Sequence, residues 1–224
     1  MAGPPPVTDW PTRIESAWSS LTRQQRRVVE LFPPQGTPAN QPPRLVLPGS
    51  FNPLHRGHAG MAELASQATG HPLYFELSVI NADKPQLDRQ DTQGRLLPAL
   101  SGKPGGGPLW APHGLLLANL PRFDLKARQF PGAILVVGVD TWVRIADPAF
   151  YPDNDMAGRL KMIAGSGCRF LVFGRLLGDR FQSLDDLSRL GRFPSTLLDI
   201  SDPVSQQQFR CDLSSTELRD DQDP

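Results

Sequence analysis

Excess charge is the first thing missing from this chain: 224 residues carry 23 Lys plus Arg against 23 Asp plus Glu. A balanced chain has no global basic field to draw it onto nucleic acid or an anionic membrane, so any anion must be bound at a local site. Nucleic-acid binding is set aside further because there is no basic stretch and no exposed aromatic pattern. No apolar run approaches the roughly 20 residues that span a bilayer, and the N-terminus has prolines and acidic residues where a secretory signal needs an apolar core. The expectation is a soluble, cytoplasmic protein without a membrane partner. Cysteine is scarce too: Cys168 and Cys211 stand alone with no C-x-x-C spacing, which argues against a zinc site or a disulfide framework and for two reduced thiols. Carboxylates with metal-ligand spacing are absent, so no dedicated metal site is expected, and no Ser-His-Asp or Cys-His arrangement is visible.

Proline, by contrast, is abundant. The 24 prolines are about twice the usual share of roughly 5 percent, and they cluster at 3–6, 33–43 and 103–112, marking loops and linkers. The cluster at 33–43 divides the chain into an N-terminal helix with a Pro-rich linker, residues 1–43, and a main domain, residues 44–224. Ile14, Trp18, Leu21 and Val28 recur at helical spacing and predict one amphipathic helix from Trp10 to Phe32. That helix is left open to pack on the main domain, to mediate self-association into a homo-oligomer, or to stay mobile. Beyond it, strand-like runs at 44–48, 73–80, 114–118, 133–139, 169–173 and 196–200 alternate with helix-length segments. This alternation predicts an α/β fold, a doubly wound parallel sheet of about five or six strands with right-handed crossovers. The connection from Asn81 to His113, with its glycine-rich stretch over 101–108, reads as a mobile substrate loop.

The segment Gly49-Ser50-Phe51-Asn52-Pro53-Leu54-His55-Arg56-Gly57-His58 lies where the first strand of the main domain hands over to its first helix. Ligands of doubly wound sheets bind at the carboxyl ends of strands; small residues there let a phosphate approach backbone N–H groups, and the helix start adds unpaired donors and partial positive charge. His55 and His58, with Gly57 between them, can present both imidazoles toward one point. Alone, such a pair also suits a helix cap. At the other end of the domain, Ser214 is a natural N-cap and Glu217, three residues on, completes a capping box.

The first segment resembles the H-x-G-H signature of the nucleotidyltransferase superfamily, which includes nicotinamide and nicotinate mononucleotide adenylyltransferases, pantetheine-phosphate adenylyltransferase and glycerol-phosphate cytidylyltransferase. Leu213-Ser214-Ser215-Thr216-Glu217-Leu218-Arg219 is similar to that superfamily's I-S-S-T-x-x-R motif, and Gly138-Val139-Asp140-Thr141 to its G-x-D. The wider pattern, including Phe130-Pro131-Gly132, Asp147-Pro148 and Gly174-Arg175, looks like a cytidylyltransferase-like group related to the nicotinamide mononucleotide adenylyltransferases. The resemblance covers about Arg44 to Arg219 and implies a Rossmann-like sheet.

It also implies roles. His55, His58 and Arg219 would be catalytic; Gly49, Ser50, Phe51, Asn52, Gly57, Gly138, Asp140, Ser214, Ser215 and Thr216 would bind the nucleotide; Asn81 and Lys84 would bind the acceptor. The implied reaction joins a nucleoside monophosphate, AMP from ATP or CMP from CTP, to a small phosphorylated acceptor such as nicotinamide or nicotinate mononucleotide and releases pyrophosphate. Magnesium would arrive on the triphosphate. Alternatives left open are another phosphorylated acceptor and a nucleotide-binding module without transfer activity.

Overall fold

A computed structural model describes residues 9–38, 41–80, 85–101, 112–151, 153–177 and 180–211. The chain begins with α1 (Trp10–Thr22), entered through Pro11 in its first turn, which buries Trp10, Ile14, Ala17 and Leu21 along one stripe. The helix expected to reach Phe32 ends ten residues earlier. No apolar residue lies between Leu21 and Val28 to anchor two more turns, and Gln24 turns the chain at a left-handed φ of 58°. The β-branched pair Val28-Val29 then opens β1 (Val28–Phe32) instead.

The order continues β2 (Leu45–Gly49), α2 (Arg56–Thr69), β3 (Leu73–Ser78), α3 (Arg89–Ser101), β4 (Gly114–Ala118), α4 (Phe123–Gln129), β5 (Ile134–Gly138), α5 (Val139–Ile145), a 3-10 turn at Pro148–Phe150, α6 (Met156–Gly165) and β6 (Arg169–Phe173). A two-stranded ribbon follows, β7 (Arg175–Leu177) with β8 (Arg180–Gln182), and then α7 (Leu184–Ser188), α8 (Ser195–Asp199) and β9 (Ser201–Val204). Two further expectations change. The strand read at 196–200 is α8, with the strand starting one residue later, because Pro194 opens a helical turn whose Leu197 is buried. The stretch from 81 to 113 is not structureless throughout: α3 lies within it, and Leu96 and Leu100, four residues apart, are buried.

Seven strands form one sheet in the order β1-β4-β3-β2-β5-β6-β9, all parallel except β1, which pairs antiparallel with β4. The fold is therefore Rossmann-like α/β, with one strand more than expected and a mixed sheet. Counted alone, the six parallel strands run 3-2-1-4-5-6, so the strand order reverses between β2 and β5. Side chains alternate through the sheet into two cores. Phe75, Leu77 and Leu115 pack with Ile14, Leu21 and Ala62 on one face, while Tyr74, Leu116 and Leu135 pack with Trp142, Leu160 and Phe170 on the other.

Of the alternatives left open for the N-terminal helix, the structure has it packed on the main domain. Trp10, Ile14, Leu21 and Leu31 belong to the same core as Phe75 and Leu115, and the Trp18 indole N–H donates to the Leu87 carbonyl at 2.9 Å. No described helix is long and apolar enough to cross a membrane.

Candidate active site

At the carboxyl end of β2 the chain must turn sharply to enter α2. A Cβ on Gly49 would lie 2.5 Å from the Phe51 ring, so only glycine lets that ring fold back; Phe51 itself takes a left-handed φ of 44° and is buried. Its ring stands edge-on to His58, with centroids 5.3 Å apart. His55 is the N-cap of α2 in extended conformation, and its Nδ1 accepts the Gly57 backbone N–H at 3.1 Å. The His55 backbone N–H in turn donates to His58 Nδ1 at 3.3 Å. The histidines therefore do cap the helix, but through one nitrogen each.

That capping sets their chemistry. An imidazole that accepts at Nδ1 carries its proton on Nε2 when neutral, so each ring keeps one N–H donor for something else. The rings lie close together, with centroids 3.9 Å apart. Burial lowers the His55 pKa, and the positive charge of Arg175 lowers it further. The same burial, with His55 and then Arg175 as lesser causes, takes His58 down to about 3. Both rings are thus held neutral. A Cβ on Gly57 would stand 2.9 Å from the His55 ring and 3.1 Å from Cys211 Sγ, so this glycine keeps the imidazole in place.

Across the strand-order reversal, β5 ends at Gly138, the N-cap of α5, and Asp140 sits in the first turn of that helix. The carboxylate of Asp140 accepts from Arg175 Nη1 at 3.3 Å, and both side chains are partly exposed. The β2 and β5 ends together enclose an open cleft of about 510 Å³, within the roughly 300 to 1,000 Å³ of ligand pockets. Gly49, Ser50, Phe51, Asn52, His55, Gly57, His58, Gly138 and Asp140 all line it, so the structure brings the described residues of that expectation to one cleft.

Three cations that sequence reasoning assigned no role also face this cleft: Arg95, Arg144 and Arg175. Arg95 Nη1 donates to the Ser50 carbonyl at 3.0 Å and so braces the loop. Arg95 was hidden because its helix was read as loop. Arg175 stands directly after β6, next to Gly174, whose Cβ would strike the Phe181 ring at 2.6 Å; that strand-end position was the available signal.

Asn81, Lys84, Ser214, Ser215, Thr216 and Arg219 lie outside the described residues. The described chain ends at Cys211, in the cleft wall with Phe209. Both cysteines are free, Cys168 buried and Cys211 half-buried. Of the remaining histidines, His113 is buried edge-on to Phe75 at 5.6 Å, away from the cleft, and His71 is exposed. Among the described residues no three His, Cys, Asp or Glu side chains gather as a metal site.

A smaller cavity of about 170 Å³ adjoins the cleft on the α4 side of the sheet. The two share Pro48, Gly49, Ser50, Thr141 and Arg144, and so meet at the carboxyl end of β2. No family model matches the chain, and no curated protein matches it.

Proposed function

We propose that this protein is a nucleotidyltransferase that transfers AMP from ATP, or CMP from CTP, to a small phosphorylated acceptor and releases pyrophosphate. The observation that carries this reading is the His55–His58 pair: two neutral imidazoles, locked through Nδ1, with their Nε2–H donors left over at the mouth of a cleft where the strand order reverses. Such donors suit a phosphate better than an acid–base role, since a general base or acid needs a pKa near the working pH and His58 is held at about 3.

In the reaction, an acceptor phosphate oxygen forms a bond to the α-phosphorus of the triphosphate. The bond from that phosphorus to the α,β-bridging oxygen breaks, and its electron pair leaves with pyrophosphate. Transfers of this kind need alignment and charge stabilisation rather than covalent help. His55 and His58 donate Nε2–H to the α-phosphate oxygens as negative charge builds there. Arg175 and Arg144, which line the cleft, would supply positive charge to the phosphates, and Asp140 in the same wall would accept from the nucleotide hydroxyls, as the sequence resemblance suggests. Magnesium enters as part of the triphosphate substrate. The adjoining cavity supports a two-substrate reaction, because it opens onto the cleft beside Gly49 and Ser50. Nicotinamide or nicotinate mononucleotide is the acceptor suggested by the sequence resemblance.

The test is pyrophosphate release from magnesium ATP or CTP offered with individual phosphorylated acceptors. Removing one preorganised donor should cost about 100- to 1,000-fold in turnover, so His58→Ala should fall by that factor while remaining folded. Triphosphate binding without release for any acceptor would leave a nucleotide-binding module instead.

A further inference from the structure

Glu76 is out of place in β3. Leu73, Phe75 and Leu77 fill one core and Tyr74 the other, so alternation assigns position 76 an apolar side chain on the Tyr74 face. It holds a carboxylate with no exposed surface. Lys126 Nζ, from α4, donates to Oε2 at 2.5 Å, while Oε1 is buried without a hydrogen-bond partner among the described residues. A buried ion pair is commonly no more stabilising than apolar residues of the same volume, and an orphaned acceptor costs more still. Stability therefore gives no reason for this pair.

Position does. Glu76 and Lys126 line the 170 Å³ cavity and not the larger cleft. Arg122, in the same wall, is held by Asp124, which accepts from its Nε at 3.0 Å and its Nη2 at 3.2 Å, leaving Nη1 over. Phe123 and Tyr151 supply apolar surface, and Arg144, stacked 4.7 Å over the Phe150 ring, stands at the junction with the cleft. Each inner cation is matched by an acid, Lys126 by Glu76 and Arg122 by Asp124; Arg144 at the junction is shared with the cleft.

We infer that this cavity is the acceptor subsite and that Glu76 Oε1 selects a phosphomonoester whose compact body presents an N–H or O–H donor, such as a carboxamide, amine or hydroxyl, and not a carboxylate. The inference rests on the transferase reading and names its acceptor class. The phosphate end meets Arg144 where the two cavities join, and the donor end satisfies Glu76 Oε1, an acceptor left unpaired among the described residues. A carboxylate at that end would face Glu76 with no unmatched cation to compensate. The volume, below that of a drug-sized pocket, admits a single ring or a short polar chain at the donor end of the acceptor.

The experiment is calorimetry with the full chain, with and without a non-hydrolysable ATP analogue, using two matched pairs of probes. These are nicotinamide against nicotinate mononucleotide, and glycerol 3-phosphate against 3-phosphoglycerate. One hydrogen bond to a charged group is worth about 10- to 100-fold in affinity, so the donor-bearing member of at least one pair should bind at least about tenfold tighter. Glu76→Gln keeps the shape and removes the charge; its preference should shrink or reverse while analogue affinity holds. Where the single variant does not fold because Lys126 is left unpaired, Glu76→Gln with Lys126→Met makes the same test. Equal or tighter binding of both carboxylates, binding of none of the four, or an unchanged preference in the variants overturns the inference. The transferase reading is judged separately, by pyrophosphate release and its loss in His58→Ala.

Discussion

Nδ1 of His55 and of His58 is tied to a backbone N–H, and that bond decides what the residue can do. With a folded-state pKa of about 3 against 6.5 for a free imidazole, His58 should show the neutral Nε2–H tautomer throughout pH 5 to 8 in nitrogen-15 NMR. Titration near 6.5 would sink this account. Between those two pKa values the unfolded chain takes up a proton that the native chain refuses, so stability falls as pH drops below 6.5 and is flat above it as far as this residue is concerned. Turnover should likewise show no loss between pH 6 and 8 that traces to His58, whereas an imidazolium at that position would lose activity over that range. Glu76 is the other residue where chemistry overrides local rules. As one charge inside an apolar run it was visible in the sequence, but burial on both faces of the sheet is what turns it into an anomaly.

The ends of α2 show how differently two glycines act within one element. Gly70 caps the helix at a left-handed φ of 69° with no atom near its absent Cβ, so Gly70→Ala should cost about 1 kcal/mol of stability and leave turnover intact. Gly57 has an ordinary φ, but its Cβ would strike the His55 ring. Gly57→Ala should therefore depress turnover far more than it lowers the thermal midpoint. Equal effects of the two substitutions on activity would contradict this division. At the same scale, α1 shows the limit of periodicity: Val28 fits the helical stripe and the strand equally well, and only its partner β4 chooses between them.

For the whole molecule, α1 and β1 belong to the main packing unit, α1 in its core and β1 in its sheet. Trp10, Ile14, Leu21 and Leu31 are each at most 2 % exposed. At about 1.5 to 3 kcal/mol per buried side chain their loss removes roughly 6 to 12 kcal/mol, comparable to the entire stability of a domain. Deleting residues 1–43 should therefore abolish cooperative thermal unfolding in calorimetry; a truncated chain that melts cooperatively near the full-length midpoint would show that β4 tolerates an open edge. The same global arrangement brings Gly49 and Gly138, 89 positions apart, to one cleft, because the strand order turns back between β2 and β5.

What the sequence determined by itself was whatever local chemistry can dictate: the Gly-Ser-Phe-Asn-Pro loop and its histidines, the Gly138 and Asp140 turn, the alternation of strands and helices, and the absence of a global charge. These depend on neighbours within a few residues, and so can be read without coordinates. The tertiary structure decided what depends on partners distant in the chain. It paired β1 with β4, made a helix of part of an apparent loop, set Arg175 beside Asp140, and buried Glu76 against Lys126, which lies 50 residues away. Apart from the partly exposed Arg175–Asp140 contact, those outcomes turn on the removal of water by side chains that the local sequence does not specify, and burial is the quantity that a linear pattern leaves undetermined.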